Sequence, residues 1–337
     1  DTFVKTMSEQ GNGKTTVSFA PLTDETTVTI KNINFAELAV LNGNTATLDG
    51  NVGFNYYMDL SEELASNENV FMEFKVGGKI QTVPVSEANY EEGYGYKFTC
   101  ELAAKHMADE ITAQLFDGEK PVSKEYTSSV KEYANKLLAD ENTEKTVKKL
   151  VKNMLHYGAY AQKYFKYNDN EENLADAGLE PVKLDDVTQT TFTEKLKDKI
   201  TADDVEEKGF GKIVASNLYL NAGTDLRVYI ELESEIDEKN VTFTCGGTEL
   251  TKGTYKNGDK EWLTVTIPNI AAHELGDVFS ITATYNGTNY TLKYSVFTYA
   301  VNALDENYSS TTGIKDLMKA MYKYYEAALA VSGSGSK

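Results

Sequence analysis

The feature that most constrains the fold is an internal repeat, which is visible when the second half of the chain is moved back by about 170 positions. Residues 71–79 match residues 241–248, and each segment carries a Gly-Gly pair after alternating apolar residues. Such a pair predicts a two-residue hairpin turn. Upstream, residues 54–60 match residues 226–232, which predicts a strand in each half. The chain is therefore expected to contain two copies of one folded unit.

Each unit is expected to end in two helices. A first helix opens at residue 130 or 296 and is expected to stop near residue 140 or 305. A second helix is expected over about 143–164 and about 312–330. Apolar residues in both second helices follow spacings of 4, 3 and 4, which predicts one buried stripe. The stripe consists of Leu150, Met154, Tyr157 and Ala161 in the first unit and of Leu317, Met321, Tyr324 and Ala328 in the second.

Two helices alone cannot bury such a stripe, so each pair is expected to pack on a sheet of its own unit. The sequence thus predicts an α+β fold that is mainly β, with two similar lobes, each a β-sandwich capped by a two-helix hairpin. A length of 337 residues agrees with two domains. The predicted boundaries are a Thr-rich N-terminal segment at 1–27 that adds an edge strand or is mobile, lobe 1 at 28–167, an acidic linker at 168–192, lobe 2 at 193–331, and a linker or tag at 332–337.

Composition excludes several classes of partner. The chain has 33 Lys and Arg against 52 Asp and Glu, a net charge of −19, so we expect neither a nucleic acid nor a membrane partner. No segment approaches the roughly 18 apolar residues of a membrane-spanning helix. Cys100 and Cys245 fall in opposite halves of the chain and are expected to be reduced, with Cys245 in a core strand.

The start of the chain bears on its location. It begins at Asp1 without Met, as a mature secreted protein does once its signal peptide is removed, although a trimmed fragment would look the same. Extracellular bacterial proteins often avoid cysteine, and this chain has two. We expect an extracellular or cell-surface location.

The sequence gives little support for catalysis. It contains no Gly-x-Ser-x-Gly elbow, no phosphate-binding glycine loop and no His-Glu-x-x-His helix. No acidic residue is embedded in an apolar run that would raise its pKa. The three histidines, His106, His156 and His273, lack a second histidine at metal-ligand spacing and are expected to be structural or solvent-facing. We expect no enzyme activity and no cofactor.

Residues 168–173 carry oxygen-bearing side chains, which are the ligands that a calcium-binding loop uses. The segment lacks the glycine at the sixth position and the glutamate at the twelfth that such loops use. We interpret it as a solvated linker and expect no metal site.

Aromatic residues give the strongest indication of function. Most of the 22 Tyr are expected in the core, but Tyr90 and Tyr94 lie in a loop rich in Gly and Glu, and Tyr255 and Trp262 flank the corresponding loop of the second unit. Exposed rings can stack on a sugar while polar neighbours bond its hydroxyls, and packing at strand ends is the alternative interpretation. The predicted ligand-binding residues are Trp262, Tyr94, Tyr90, Tyr255, Asp259 and Lys260.

Two segments carry a resemblance to a known family. Residues 49–58, Asp-Gly-Asn-Val-Gly-Phe-Asn-Tyr-Tyr-Met, open the first sandwich, and residues 155–165, Leu-His-Tyr-Gly-Ala-Tyr-Ala-Gln-Lys-Tyr-Phe, close its helical cap. With the repeat over 28–330, they resemble large secreted, cell-surface proteins of gut Firmicutes. Within that group the chain is similar to starch adherence system proteins, which assemble into amylosomes. The resemblance implies a bilobed module that binds α-1,4-glucan.

The leading hypothesis is a noncatalytic, monomeric glucan-binding module that holds a surface complex on starch, amylopectin or maltooligosaccharides, with further modules beside it. The alternative is a protein-binding adhesin, or a spacer that separates other domains from the cell wall. Aligning strands 97–100 and 263–267 places Tyr94 and Trp262 at about the same point of the two lobes. If the lobes face one groove, a long glucan would contact both.

Overall fold

The computed structural model describes most of the chain as antiparallel sheets and α-helices. The prediction of an α+β fold that is mainly β is confirmed. Within the described part, no helix combines the length and the apolar character needed to cross a membrane. The predicted linker or tag lies outside the described residues except for Ser332. The described residues are 4–10, 14–20, 26–31, 39–48, 52–221, 223–307 and 313–332.

Lobe 1 is a β-sandwich. Tyr56 of one sheet and Phe74 of the other are both fully buried, and their ring centroids lie 5.5 Å apart across the core. The first sheet has the order β4 (Ala39–Thr47), β5 (Gly53–Leu60), β9 (Gly95–Glu101) and β8 (Asn89–Glu91). The second has the order β7 (Lys79–Pro84), β6 (Val70–Val76), β10 (Ile111–Asp117) and β11 (Lys120–Pro121), with β12 (Tyr126–Ser128) also paired to β10.

Lobe 2 repeats the order of the central strands of both sheets, with one more strand at the edge of its first sheet. Phe210 and Phe243 contact each other in its core, with ring centroids 6.3 Å apart. The first sheet has the order β13 (Glu206–Glu207), β14 (Gly211–Leu220), β15 (Thr224–Leu232), β19 (Lys260–Ile270) and β18 (Lys252–Asn257). The second has the order β17 (Thr248–Glu249), β16 (Val241–Cys245), β20 (Phe279–Tyr285) and β21 (Thr288–Tyr294).

The glycine pairs form the predicted turns at equivalent points of the two lobes. Gly77 and Gly78 connect β6 to β7 with φ of 55° and 73°, and Gly246 and Gly247 connect β16 to β17 with φ of 58° and 85°. Positive φ at both central residues is what a two-residue hairpin with right-handed strand twist requires. The repeated Gly-Gly motif therefore fixes the same strand pairing twice.

Each lobe is capped by a helix pair, as predicted. The first helices begin after Ser129 and Ser295, whose side chains accept hydrogen bonds from backbone N–H groups of the first turn. All eight residues of the predicted stripe are buried. The helices are α1 (Glu62–Ala65), α2 (Val130–Ala139), α3 (Lys145–Phe165), α4 (Gln189–Leu196), α5 (Val296–Leu304) and α6 (Ile314–Ser332), with 3-10 turns at Val85–Glu87, Ala104–His106, Glu171–Asn173, Ala202–Val205, Glu238–Asn240 and Ala272–Glu274.

The two lobes meet along α3 and α6. Tyr157 and Tyr324, which are equivalent residues of the repeat, stack with ring centroids 5.6 Å apart and planes at 19°. The Tyr324 hydroxyl donates to the Leu48 carbonyl of lobe 1 at 2.7 Å, and the Tyr157 side chain hydrogen-bonds Thr224 of lobe 2. Each long helix thus places a tyrosine against the opposite lobe.

The N-terminal strands do not add to lobe 1. Among the described strands, β1 (Val4–Gln10), β2 (Lys14–Ala20) and β3 (Thr26–Lys31) pair with one another as a separate antiparallel sheet. The predicted edge strand of lobe 1 is therefore not formed by these residues, because their backbone groups are paired within their own sheet.

The predicted linker is anchored to the lobes at both ends. The fully buried Gln162 of α3 donates to the carbonyls of Asn168 and Asn173 at 3.3 and 3.1 Å and accepts from the Ala175 N–H at 2.7 Å. A buried amide must satisfy these bonds, so the segment follows the helix instead of extending into solvent. At the other end, the predicted boundary between 192 and 193 falls inside α4, where the ring of Phe192 lies 5.0 Å from that of Phe297.

Candidate functional site

The outer face of the first sheet of lobe 2 carries an aromatic cluster. Leu226, Val228 and Ile230 of β15 are fully buried in the core. Successive side chains of a strand point to opposite faces, so Arg227 and Tyr229 lie on the outer face. The strand alternation thus places Tyr229 on a surface that no second layer of the sandwich covers.

Two further rings complete this cluster. Tyr255 of β18 is directly opposite Trp262 of β19, and their centroids lie 6.3 Å apart with planes at 28°. Tyr229 contacts both in T-shaped geometry, at 5.2 Å from Tyr255 and 6.4 Å from Trp262. Cross-strand aromatic pairs of this kind stabilise a sheet and fix the rings relative to one another. We call Tyr229, Tyr255 and Trp262 the lobe 2 aromatic cluster.

The structure corrects the sequence interpretation of this hairpin. Tyr255 and Trp262 were expected at the two ends of a loop, but both lie inside paired strands. The connection is a two-residue turn, Gly258-Asp259, with φ of 64° at Gly258. Because the β-ladder continues to the turn, the backbone holds the two rings at a fixed spacing.

Polar groups surround the lobe 2 aromatic cluster. Lys260 Nζ lies 2.6 Å from Glu231 Oε1, and this hydrogen bond lowers the pKa of the Glu231 carboxyl. Arg227 donates to Thr266 Oγ1 at 3.0 Å and to the Tyr219 hydroxyl at 2.7 Å. Asp259 is exposed at the turn. The predicted polar residues therefore border the rings, and Lys260 is ion-paired.

The indole of Trp262 has an unusual environment. Its Nε1 atom is buried and has no hydrogen-bond partner among the described residues, although Trp262 as a whole is half-buried. A buried donor without a partner costs about 1–3 kcal/mol. A hydroxyl-bearing ligand that displaces a neighbouring ring would supply an acceptor.

Lobe 1 carries a smaller version of the cluster. Tyr57 of β5 is the repeat equivalent of Tyr229, and the Tyr94 ring lies 5.7 Å from it. The strand register puts Gly95 at the position of Trp262, so the second ring comes from the turn before β9. Asn42 Nδ2 donates to the Tyr94 carbonyl at 3.0 Å. We call Tyr57 and Tyr94 the lobe 1 aromatic pair.

Tyr90 does not join the lobe 1 aromatic pair. It belongs to β8 and lies directly opposite Tyr96, with ring centroids 5.2 Å apart. Tyr96 is opposite the buried Met58, so Tyr90 is on the inward-facing side of the sheet edge, although 64% of it is exposed. The interpretation that Tyr90 and Tyr94 share one loop is wrong, because Tyr90 lies in strand β8.

The histidines have structural partners. His106 Nδ1 lies 2.7 Å from Asp109 Oδ2, which also accepts a hydrogen bond from the Tyr167 hydroxyl at 2.7 Å. Burial and this bond raise the pKa of Tyr167 to about 12. His156 Nδ1 lies 2.7 Å from Asp176 Oδ2. Within the described residues, no group of three or more His, Cys, Asp or Glu side chains is arranged to hold a metal.

Sequence reasoning did not assign Tyr57, Tyr219, Arg227 or Tyr229 to the site. The available indication was the alternation of β5 and β15, in which each of the two tyrosines lies between apolar residues. That Tyr229 contacts the rings of β18 and β19 follows from the strand register, which cannot be read from the sequence.

The fold and this surface together define a two-lobed β-sandwich protein with exposed aromatic rings on the outer face of one sheet in each lobe. A scan of protein-family models finds no match to the chain, and a search of curated proteins finds no significant match. Functional inference therefore depends on the geometry described above.

Proposed function

We propose that the chain is a noncatalytic carbohydrate-binding protein that binds starch-type α-1,4-glucan. The observation that carries the proposal is the lobe 2 aromatic cluster, in which a stacked tyrosine and tryptophan lie on an open sheet face beside charged side chains. Tyr255 is 48% exposed, so its ring is accessible to a ligand. Flat rings contact the apolar face of a sugar, and neighbouring polar groups bond its hydroxyls.

Two lobes support binding to a polymer. Each aromatic contact contributes on the order of 1 kcal/mol, so one cluster alone binds weakly. A long glucan that contacts the lobe 2 aromatic cluster and the lobe 1 aromatic pair makes the second contact intramolecular, which raises avidity by roughly 10²-fold or more where the geometry allows it. Short sugars gain nothing from the second lobe.

Electrostatics at the cluster support a binding role without catalysis. Glycoside hydrolysis needs a carboxylic acid with a raised pKa next to the sugar. The pKa of Glu231, beside the rings, is lowered by its hydrogen bond to Lys260. Among the described carboxyl groups with a shifted pKa, that of Asp277 is raised, by burial, and Asp277 lies just before β20 in the other sheet of lobe 2.

The setting follows from the resemblance to starch adherence system proteins. We place the protein outside the cell or at the cell surface, as a monomeric module of a larger surface or amylosome protein. Its partner is starch, amylopectin or a maltooligosaccharide, and no metal or cofactor takes part.

Affinity electrophoresis tests the proposal. The chain is run in native gels that contain amylopectin or an unrelated polysaccharide, beside the double variant Tyr255→Ala/Trp262→Ala and the control Tyr90→Ala. Tyr90 is also an exposed tyrosine of an outer strand, but it lies outside both ring groups. We expect amylopectin to retard the wild type and the control, and the double variant to migrate faster.

Equal mobility of the wild type in both gels would contradict glucan binding. It would favour the alternative of a protein-binding adhesin or spacer. Equal retardation of the wild type and a folded double variant would remove the lobe 2 aromatic cluster from the site.

A further inference from the structure

A cleft of about 660 Å³ lies between the two lobes at the end of α3. Ile80 and Phe165 line it from lobe 1, and they are 64% and 41% exposed. Tyr219 and Met318 line it from lobe 2. Lys105 Nζ lies 5.0 Å from the centre of the Phe165 ring, which holds that ring at the mouth of the cleft. The cleft thus combines exposed apolar surface with polar groups, as sugar sites do.

The cleft is continuous with the lobe 2 aromatic cluster. The Tyr229 side chain hydrogen-bonds that of Tyr219, and this bond together with burial raises the pKa of Tyr229. Arg227 lies on the same face of β15 as Tyr229 and stacks on the Tyr219 ring at 4.4 Å. An unbroken row of side chains therefore leads from Trp262 through Tyr229 to Tyr219 at the cleft wall.

One polar side chain of the cleft has a fixed orientation. His106 lines the cleft, and its side chain is nine-tenths buried. The Nδ1 atom of His106 lies 2.7 Å from Asp109 Oδ2, and this contact holds the ring in place. Tyr167 packs on the ring with centroids 4.6 Å apart.

We propose that the cleft is a second glucan subsite, continuous with the lobe 2 aromatic cluster, in which the His106 imidazole contacts the sugar. The inference rests on the proposed function and makes it more specific: one glucan chain lies across Trp262 and Tyr229 and enters between the lobes past Tyr219. Phe165 provides the apolar contact on the opposite wall.

The row of rings from Trp262 through Tyr229 to Tyr219 belongs to lobe 2. The repeat equivalent of Tyr219 in lobe 1 is Thr47, which has no ring. Thr47 therefore does not extend the lobe 1 aromatic pair toward the interface, and the subsite gives the two lobes different roles.

Calorimetric titration with maltotriose and maltoheptaose tests the subsite. A glucan long enough to reach the cleft should bind more tightly than a short one, and a change in the cleft should reduce that difference. The variant is Phe165→Ala, and the matched control is Leu329→Ala. Leu329 is 40% exposed near the end of the other long helix and does not line the cleft. We expect Phe165→Ala to weaken maltoheptaose binding about fivefold and to change maltotriose binding little. Leu329→Ala should change neither. Equal maltoheptaose affinities for the two variants would overturn the proposal.

A second measurement monitors a residue of the cleft directly. It distinguishes failure of the proposed subsite from failure of the proposed glucan binding. The imidazole nitrogens of His106 are followed by NMR while the fluorescence of Trp262, the one tryptophan of the chain, is followed in parallel. We expect maltoheptaose to shift the imidazole nitrogen resonances of His106 and to change the Trp262 emission. An unchanged His106 signal with a changed Trp262 emission would refute the subsite and leave the proposed function standing. No change in either, together with unretarded migration in amylopectin, would refute the proposed function itself.

Discussion

The outer faces of the two lobes differ far more than their cores do. Phe74 and Phe243 occupy the same strand position in the two sandwiches, and both are fully buried. On the outer faces, Tyr57 and Tyr229 are also equivalent, but lobe 2 adds a cross-strand Tyr255–Trp262 pair where lobe 1 has Gly95 and one tyrosine from a turn. A core position must fill a defined volume, whereas an outer position is constrained only by what it binds.

This difference separates the repeated scaffold from the surface to which we assign ligand binding. The Gly-Gly turns and the equivalent sheet orders of the two lobes serve folding. The ring cluster in lobe 2 is larger, more regular and continuous with the cleft, so we expect lobe 2 to dominate ligand binding.

The largest expected effect is on the free energy of unfolding. The experiment tests whether the two cores unfold together. Phe74→Ala in lobe 1 and Phe243→Ala in lobe 2 should each lower the free energy of unfolding by about 3–5 kcal/mol, because each leaves a cavity in a packed core. The Tyr157–Tyr324 interface should couple the lobes. We therefore expect Phe74→Ala to shift the unfolding midpoint reported by Trp262 fluorescence in denaturant, although Trp262 lies in lobe 2. An unmoved Trp262 midpoint would show that the lobes unfold independently.

The second prediction compares the two aromatic sites. Trp262→Ala should reduce affinity for amylopectin about tenfold, and Tyr94→Ala should reduce it less, about threefold, because the lobe 1 aromatic pair offers fewer ring contacts. Tyr90→Ala is the control and should bind like the wild type. Melting temperatures of the same variants separate loss of contact from loss of fold. A Tyr94→Ala protein that binds more weakly than a folded Trp262→Ala protein would reverse the ranking of the lobes.

The third prediction compares the two free cysteines, one in each lobe. Burial raises the pKa of the Cys100 thiol to about 12 and also raises that of the half-buried Cys245. Since the thiolate is the reactive form, a disulfide reagent at neutral pH should modify Cys245 first and Cys100 only after unfolding. In denaturant both should react, giving two thiols per chain. Faster reaction of Cys100 in the native protein would contradict the burial of β9.

The smallest expected effect is the pH dependence of the Lys260–Glu231 contact. The pKa of Glu231 is lowered in the folded chain, so the contribution of this contact is present above the ordinary value of 4.5 and is lost as the pH falls through the folded pKa. Glu231→Gln should therefore lower the melting temperature slightly at neutral pH and by less at about pH 3. The neighbouring exposed Glu261→Gln is the control. A Glu231→Gln effect that is equal at both pH values would show that the ion pair does not stabilise the fold.

Much of the architecture was predictable because it depends on local rules. The Gly-Gly pairs require positive φ, Ser129 and Ser295 begin helices, and the 4-3-4 spacing of α3 and α6 places eight residues in the core. Each of these properties belongs to a short segment, so it can be identified before the tertiary structure is known.

The conformation of the predicted linker could not be inferred from such local rules. Residues 168–173 are polar enough to extend into solvent, and their composition gave no reason to expect otherwise. The fully buried Gln162 lies in a different segment, and its three hydrogen bonds anchor the linker on α3. A side chain of the preceding helix, outside the segment itself, decided the conformation of that segment.

The sequence by itself determined the repeat, the mainly β class, the helix stripes and the choice of aromatic residues as candidates. The tertiary structure decided which aromatics meet. Register placed Tyr255 opposite Trp262 and both against Tyr229, and it put Tyr90 on the other face from Tyr94. The physical reason is that strand pairing is a long-range interaction with a period of two residues, so a shift of one position reverses every side chain. The facing of Tyr157 and Tyr324, and the cleft between the lobes, likewise depend on how two complete lobes pack.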